Sequence, residues 1–135
     1  MSAEANKTVV CRYREEFNEG NLEAAVAYFS DDLVGHEPAR DLHGRDGIRH
    51  SLAGFCSAFP DIRVTVEDLV AEDDRVVARW SFRGPHEGEV LSVPPTHRRV
   101  SVKGMILYRI SGGRIAEYWG SWDRLGLLQQ LSAFL

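Results

Sequence analysis

The apolar residues in roughly the first sixty positions recur at helical spacing, whereas those that follow alternate with polar ones. Val10, Tyr13 and Phe17 make one stripe, with Arg12, Arg14, Glu15 and Glu16 mostly on other faces, and the run stops at Asn18-Glu19-Gly20. Asn21 is placed to cap a second helix, on which Leu22, Ala25, Val26 and Phe29 line up before Ser30-Asp31-Asp32 breaks it. These two short helices are expected to pack as a hairpin. A brief strand, Leu33 to Glu37, then leads into Pro38 to Gly44, a loop by composition. The third helix carries Ile48, Leu52, Phe55 and Phe59 at offsets of four, three and four, and Pro60 ends it.

Beyond Pro60 the period becomes two. Ile62, Val64 and Val66 alternate with Arg63, Thr65 and Glu67, as in a strand with one buried face. Glu72-Asp73-Asp74 predicts a turn, Arg75 to Arg83 a second strand, and Val90 to Val93 a short one between the breaks at Gly84-Pro85 and Pro94-Pro95. Val100 to Ile110 and Arg114 to Trp122 read as a long hairpin around Ser111-Gly112-Gly113, and Leu125 to Leu135 as a last amphipathic helix. No repeat, low-complexity stretch or linker divides residues 1–135. Three helices followed by antiparallel strands predict an α+β domain, with helices covering one face of a strongly curved sheet. Such a cone leaves a concave interior for a ligand, and a partly apolar outer face favours a homodimer.

Composition narrows the function more than the fold. The 16 Lys and Arg against 20 Asp and Glu give a net charge of −4, which argues against a strongly basic nucleic-acid scaffold and an acidic disordered tail alike. No apolar run reaches the roughly 20 residues of a membrane span, and MSAEANKTVV has neither a basic nor an apolar signal region. A soluble, cytoplasmic protein without nucleic-acid or membrane partners is expected. The two cysteines, Cys11 and Cys56, are too few for a disulfide framework and read as buried thiols.

Several blocks in fixed order carry a resemblance. They include Leu33-Val34-Gly35-His36-Glu37-Pro38, Ala58-Phe59-Pro60-Asp61, Arg79-Trp80, His86-Glu87-Gly88, Val93-Pro94-Pro95-Thr96 and the closing Trp122 to Leu131. With this order and spacing the chain resembles the SnoaL-like polyketide cyclase (ester cyclase) family over nearly its whole length. The resemblance implies a nuclear-transport-factor-2-like cone. It also implies ring closure of a polyketide methyl ester by intramolecular aldol condensation, without metal or cofactor, with an Asp of the last strand as general acid/base. Such a carboxylate must lie within hydrogen-bond reach of an acidic C–H, in surroundings that raise its pKa towards neutrality. Aligned on that strand, Gly120 stands where those cyclases carry the Asp, and Ser51 falls where the third helix would offer a polar amide.

With position 120 vacant, the acid/base candidates are His36, at the pocket mouth in the family fold, and Asp123, at the end of the last strand. His36 could equally bond a nearby backbone group, and Asp123 could cap the helix beginning near Arg124. Taking Gly120 as an inward position by the same resemblance, Tyr118 and Trp122 point in and Glu117 points out. Tyr118 can donate to a carbonyl or enolate oxygen, or it can be a core residue with one satisfied hydrogen bond. Arg79, Ser51, Phe55, Gly120 and Trp122 complete the expected substrate-binding set. If Arg79 points into the cone it needs a carboxylate or a ligand anion, because an unpaired buried charge is costly; if it points outward it is a solvated or dimer-interface charge. The histidines show no metal-ligand spacing, so neither metal nor cofactor is expected. The expected function is cofactor-independent acid/base chemistry on a hydrophobic, carbonyl-bearing small molecule. The alternatives are a non-catalytic binding protein of the same fold and, ranking last, an epoxide-hydrolase-like enzyme.

Overall fold

The computed structural model describes residues 2–132. It opens with α1 (Ala3–Asn18), capped by the Ser2 hydroxyl, which accepts from the Ala5 amide at 3.1 Å. The helix buries Val10, Tyr13 and Phe17, the stripe that the spacing predicts, together with Asn6 and Val9. α2 (Leu22–Val26) is shorter than expected, because Phe29 opens a strand instead of closing the helix. That strand, β1 (Phe29–His36), pairs antiparallel with β2 (Asp41–His43), three residues inside the segment whose composition suggested only a loop. α3 (Gly44–Ala58) follows.

Four strands then run antiparallel in sequence: β3 (Thr65–Glu72), β4 (Arg75–Pro85), β5 (Arg99–Ser111) and β6 (Arg114–Trp122). The sheet order is β2-β1-β6-β5-β4-β3, and β1 joins β6 in parallel, the one parallel pairing among the described residues. α1 touches β3, β4 and β6, strands that span most of this sheet, so the sheet must curl around the helix. α4 (Arg124–Gln130) closes the described chain, and residues 133–135 of the expected last helix lie outside the described residues.

Three details depart from the sequence reading. Ile62 and Val64 are buried but precede β3. The Asn18 side chain takes the place of a ladder there, accepting from the Val64 amide at 2.7 Å and donating to its carbonyl at 2.9 Å. Val90 and Val93 form only an isolated bridge. Cys11 and Cys56 are free thiols, partly and not fully buried.

Inward positions repeat every second residue along the sheet. On β5, Val100, Val102, Tyr108 and Ile110 are buried, and on β4, Val76, Ala78 and Phe82. Together with Tyr13, Phe17, Phe29, Ile48, Leu52 and Phe59 from the helices and β1, they form one core cluster. No described helix is long and apolar enough to cross a membrane.

Candidate active site

Between α1, α3 and the concave face lies a cavity of about 100 Å³. Its wall is mainly apolar and aromatic. Phe17, Phe29, Leu52, Phe55, Trp80 and Trp122 are among the residues that line it. A cavity of about 150 Å³ holds a single benzene ring, so a larger ligand must extend beyond this space. It can do so into an outer groove of about 370 Å³, which shares Glu37, Pro38, Ser51, Phe55 and Trp122 with the inner cavity.

Glu37 stands at that junction, immediately after β1. Its Oε2 accepts from the Tyr118 hydroxyl at 2.7 Å and from the Ser51 hydroxyl at 3.2 Å. Its Oε1 has no hydrogen-bond partner among the described residues. It is also not one of the buried orphan atoms, which are Asn6 Oδ1 and His86 Nε2, so it remains reachable. Burial drives the Tyr118 pKa far above its ordinary value, and the Glu37 charge and hydrogen bond drive it further. The phenol therefore keeps its proton and acts as a donor.

One glycine makes this geometry possible. Gly35 pairs with Tyr118 across the parallel β1–β6 ladder, and a Cβ at position 35 would stand 2.5 Å from Cε2 and Cζ of the tyrosine ring. Only a residue without a side chain lets the ring lie across the strand towards Glu37.

Deeper in the cavity, Arg14 lies over the Tyr13 ring, 4.7 Å from its centroid, and donates from Nη2 to the Tyr108 hydroxyl at 3.4 Å. Desolvation pulls the Arg14 pKa down, but the phenol oxygens of Tyr13 and Tyr108 outweigh it and the guanidinium stays charged. Desolvation likewise raises Tyr13 and Tyr108.

Of the residues expected to form the site, Tyr118, Ser51, Phe55 and Trp122 meet at this cavity. Gly120 adjoins it, since a Cβ there would make ordinary contacts, the nearest with Ile106 Cδ1 at 3.7 Å and Tyr118 Cε1 at 3.8 Å. A Cβ at 120 would thus fit, and the glycine leaves the wall without the carboxylate that the resemblance implies.

Three expectations need correction. His36 lies on the other side of the sheet, stacked on Trp119, with Nδ1 3.1 Å from Asp41 Oδ1 and Nε2 2.7 Å from Glu117 Oε2. It is the residue between inward Gly35 and inward Glu37, so strand alternation turns it out. Asp123 is exposed and caps α4, accepting from the Gly126 amide at 2.9 Å, the reading that competed with catalysis. Arg79 is exposed and donates to Asp68 at 2.7 Å, while its neighbour Trp80 takes the inward position.

The polar cavity-lining residues missing from the sequence reading are Glu37 and Arg14. Extending the buried series Leu33, Gly35 by two residues would have pointed to Glu37. No comparable signal exists for Arg14, which sits beside the apolar stripe of α1. Among the described residues no group of three or more His, Cys, Asp or Glu is arranged to hold a metal ion.

Comparison with known proteins matches this architecture to one family. A model of SnoaL-like polyketide cyclases fits residues 7–131. Among solved structures, TsrD from Streptomyces laurentii is 29% identical with a TM-score of 0.89, over 99% of each chain. AclR from Streptomyces galilaeus, assigned as a hydroxylase, is 26% identical with a TM-score of 0.89, over 99% of this chain and 100% of its own. IdmH from Streptomyces antibioticus, assigned as a polyketide cyclase, is 32% identical with a TM-score of 0.81, over 94% of this chain and 98% of its own. No curated protein matches the sequence. Different chemistries are thus assigned within one fold, and the site, more than the fold, must carry any functional argument. The chain belongs to the SnoaL-like polyketide cyclase family.

Proposed function

We propose that the protein is a cofactor-independent acid/base enzyme that removes a proton next to a carbonyl of a hydrophobic small molecule, with Glu37 as the base. The observation that carries this reading is the pair of hydroxyl donors on Glu37 Oε2, which leaves Oε1 reachable at the junction of cavity and groove. A carboxylate base beside a tyrosine donor suits enolisation, because the two groups act on opposite ends of the same C–C=O unit. Glu37 Oε1 takes the C–H proton. Once the carboxyl is neutral, its hold on the Tyr118 hydroxyl weakens, since hydrogen bonds to charged acceptors are roughly twice as strong as neutral ones. The phenol can then donate to the oxygen on which negative charge develops. The enolate so formed is the nucleophile of an aldol ring closure; in a conjugated substrate without a second carbonyl, return of the proton from Glu37 to a different carbon of the enolate gives isomerisation.

The test is deuterium exchange at the α-carbon of 2-tetralone in D2O, followed by NMR. Exchange above the buffer rate is expected with the native protein, and Glu37→Gln should lower it by about 10²-fold or more, the usual contribution of a positioned acid/base. Exchange that is absent, or unchanged in Glu37→Gln, overturns the proposal and favours a binding protein that has kept the cone. Ring closure of an anthracycline-type methyl ester tests the aldol outcome separately.

The homodimer belongs to the same reading. Val70, Val77, Leu107 and Trp119 sit in register across four strands, and Val70 and Trp119 are 65% and 37% exposed. Covering this row with a second copy would remove apolar surface from water. Sedimentation equilibrium at micromolar protein gives twice the monomer mass if this is right. The unpaired Cys11 and Cys56 suit a reducing, cytoplasmic compartment.

A further inference from the structure

Among the described residues Arg14 is the only cation that lines the inner cavity. Its guanidinium carbon lies 4.7 Å from the centroid of Tyr13 and 5.3 Å from that of Phe17, so two aromatic faces hold it in place. A guanidinium carries five N–H donors and keeps its charge in proteins. Here one of them, on Nη2, reaches a protein acceptor, the Tyr108 hydroxyl at 3.4 Å, and no other acceptor is found among the described residues. Nor does any described carboxylate come within 4.0 Å of it, whereas Arg45, Arg49, Arg75, Arg79 and Arg109 each face one. The unused nitrogens are not among the buried orphan atoms, so a ligand atom can reach them. The aromatic faces and the Tyr108 hydroxyl stabilise this charge, but no described carboxylate is in contact with it, so a ligand anion would supply its first ionic hydrogen-bond partner.

We propose that Arg14 anchors a carboxylate of the ligand, so that the molecule bound is a free acid rather than a neutral ester. The planar fork of a guanidinium matches a carboxylate through two parallel N–H···O bonds. A phosphate is a poorer fit, since one cation leaves much of its charge uncompensated in a space of about 100 Å³ with mostly apolar walls. Arg14 lines only the inner cavity, whereas Glu37 lines both the cavity and the outer groove. The acid therefore enters first, and the carbon that loses its proton stops at the junction. This inference deepens the reading of the cavity as a substrate site, but its test does not depend on turnover.

Isothermal titration calorimetry with 2-naphthoate and 2-naphthamide, molecules of equal size that differ in charge, decides it. At neutral pH the acid should bind the native protein about tenfold or more tightly than the amide, the scale of one charge-assisted contact. In Arg14→Met the ratio should fall to about one or below, and in Arg14→Lys, which keeps a point charge without the fork, part of it should remain. Glu37→Gln should keep the preference for the acid. An amide that binds the native protein as tightly as the acid, a preference that survives Arg14→Met, or no saturable binding of the acid at about 10 mM overturns the inference. Thermal melts of each variant report folding, and the acid-amide comparison on the native protein stands even where Arg14→Met does not fold. Loss of tetralone exchange in Glu37→Gln without any acid preference sinks the Arg14 inference alone. The opposite pattern sinks the Glu37 mechanism alone.

Discussion

Glu37 and Glu117 stand on opposite faces of the same sheet, and their partners differ in kind. Glu37, on the concave side, accepts from two neutral hydroxyls and keeps one oxygen free. Glu117, on the convex side, is held by His36 at 2.7 Å and by Arg109 at 3.2 Å, and each takes one carboxylate oxygen. The His36 hydrogen bond, helped by Arg109, holds the Glu117 carboxyl below its ordinary range, and in return Glu117 and Asp41 raise His36. A carboxylate already matched by cations has little left to offer a substrate proton. One that accepts only from neutral hydroxyls, at the edge of an apolar cavity, keeps an oxygen free for a substrate proton. Being charged and conspicuous in the sequence is therefore a poor guide to chemistry, and the nature of the partner is a better one.

Breaking the two carboxylates separately gives the largest expected effects. Glu37→Gln should reduce α-proton exchange by about 10²- to 10⁴-fold, equivalent to about 3–5 kcal/mol, while Glu117→Gln leaves it within about twofold. Equal losses from both would erase the contrast between the faces. The support behind Glu37 can be removed next. Gly35→Ala forces a Cβ into the Tyr118 ring and should destabilise the fold by about 1–3 kcal/mol in urea unfolding, with activity falling as the phenol is displaced. Wild-type stability in that variant would mean that the ring moves without cost.

Convex-side and exposed changes should alter stability alone. Asp123→Ala loses the α4 cap and should cost about 1 kcal/mol with unchanged exchange of the tetralone probe. A large loss of exchange in this variant would restore Asp123 as an acid/base. The smallest effect, His36→Gln, should depend on pH in a defined sense. His36 is raised above its ordinary 6.5, so its contribution is complete below that value and disappears as pH rises through the raised one. Glu117 is lowered from 4.5, so its contribution is present above 4.5 and is lost as pH falls through the lowered value. The melting-temperature difference between wild type and His36→Gln should therefore be greatest near about pH 6 and shrink towards about pH 9. A difference that grows with pH contradicts the ion pair.

The same contrast explains which parts of the site were legible. Phe55 follows from the helical period of α3, Tyr118 and Trp122 from strand alternation once the resemblance sets Gly120 inward, and Ser51 from the resemblance alone; all four line the cavity. His36 was chosen for its chemistry although it occupies the outward place between Gly35 and Glu37, so the alternation that located Tyr118 was not applied there. Arg79 and Arg14 reverse in a similar way. The arginine in mid-strand points out to Asp68, and the one beside a helical stripe reaches the cavity. A helix has no two-sided alternation, and a long side chain at the edge of its stripe can reach either solvent or core.

Taken by itself, the order of periods determined the architecture. Helical spacing up to Pro60 and alternation after it give helices over a sheet, because apolar positions at each period must bury against another element. The family resemblance, in turn, shows that position 120, where those cyclases carry an Asp, holds a glycine. Only the tertiary structure decided what stands in its place. Glu37, Ser51 and Tyr118 are separated by up to 81 residues, and they meet because β1 joins β6 in parallel and Gly35 leaves room for the tyrosine ring. That pairing is long-range, and local periodicity carries no information about which distant strand a given strand will find.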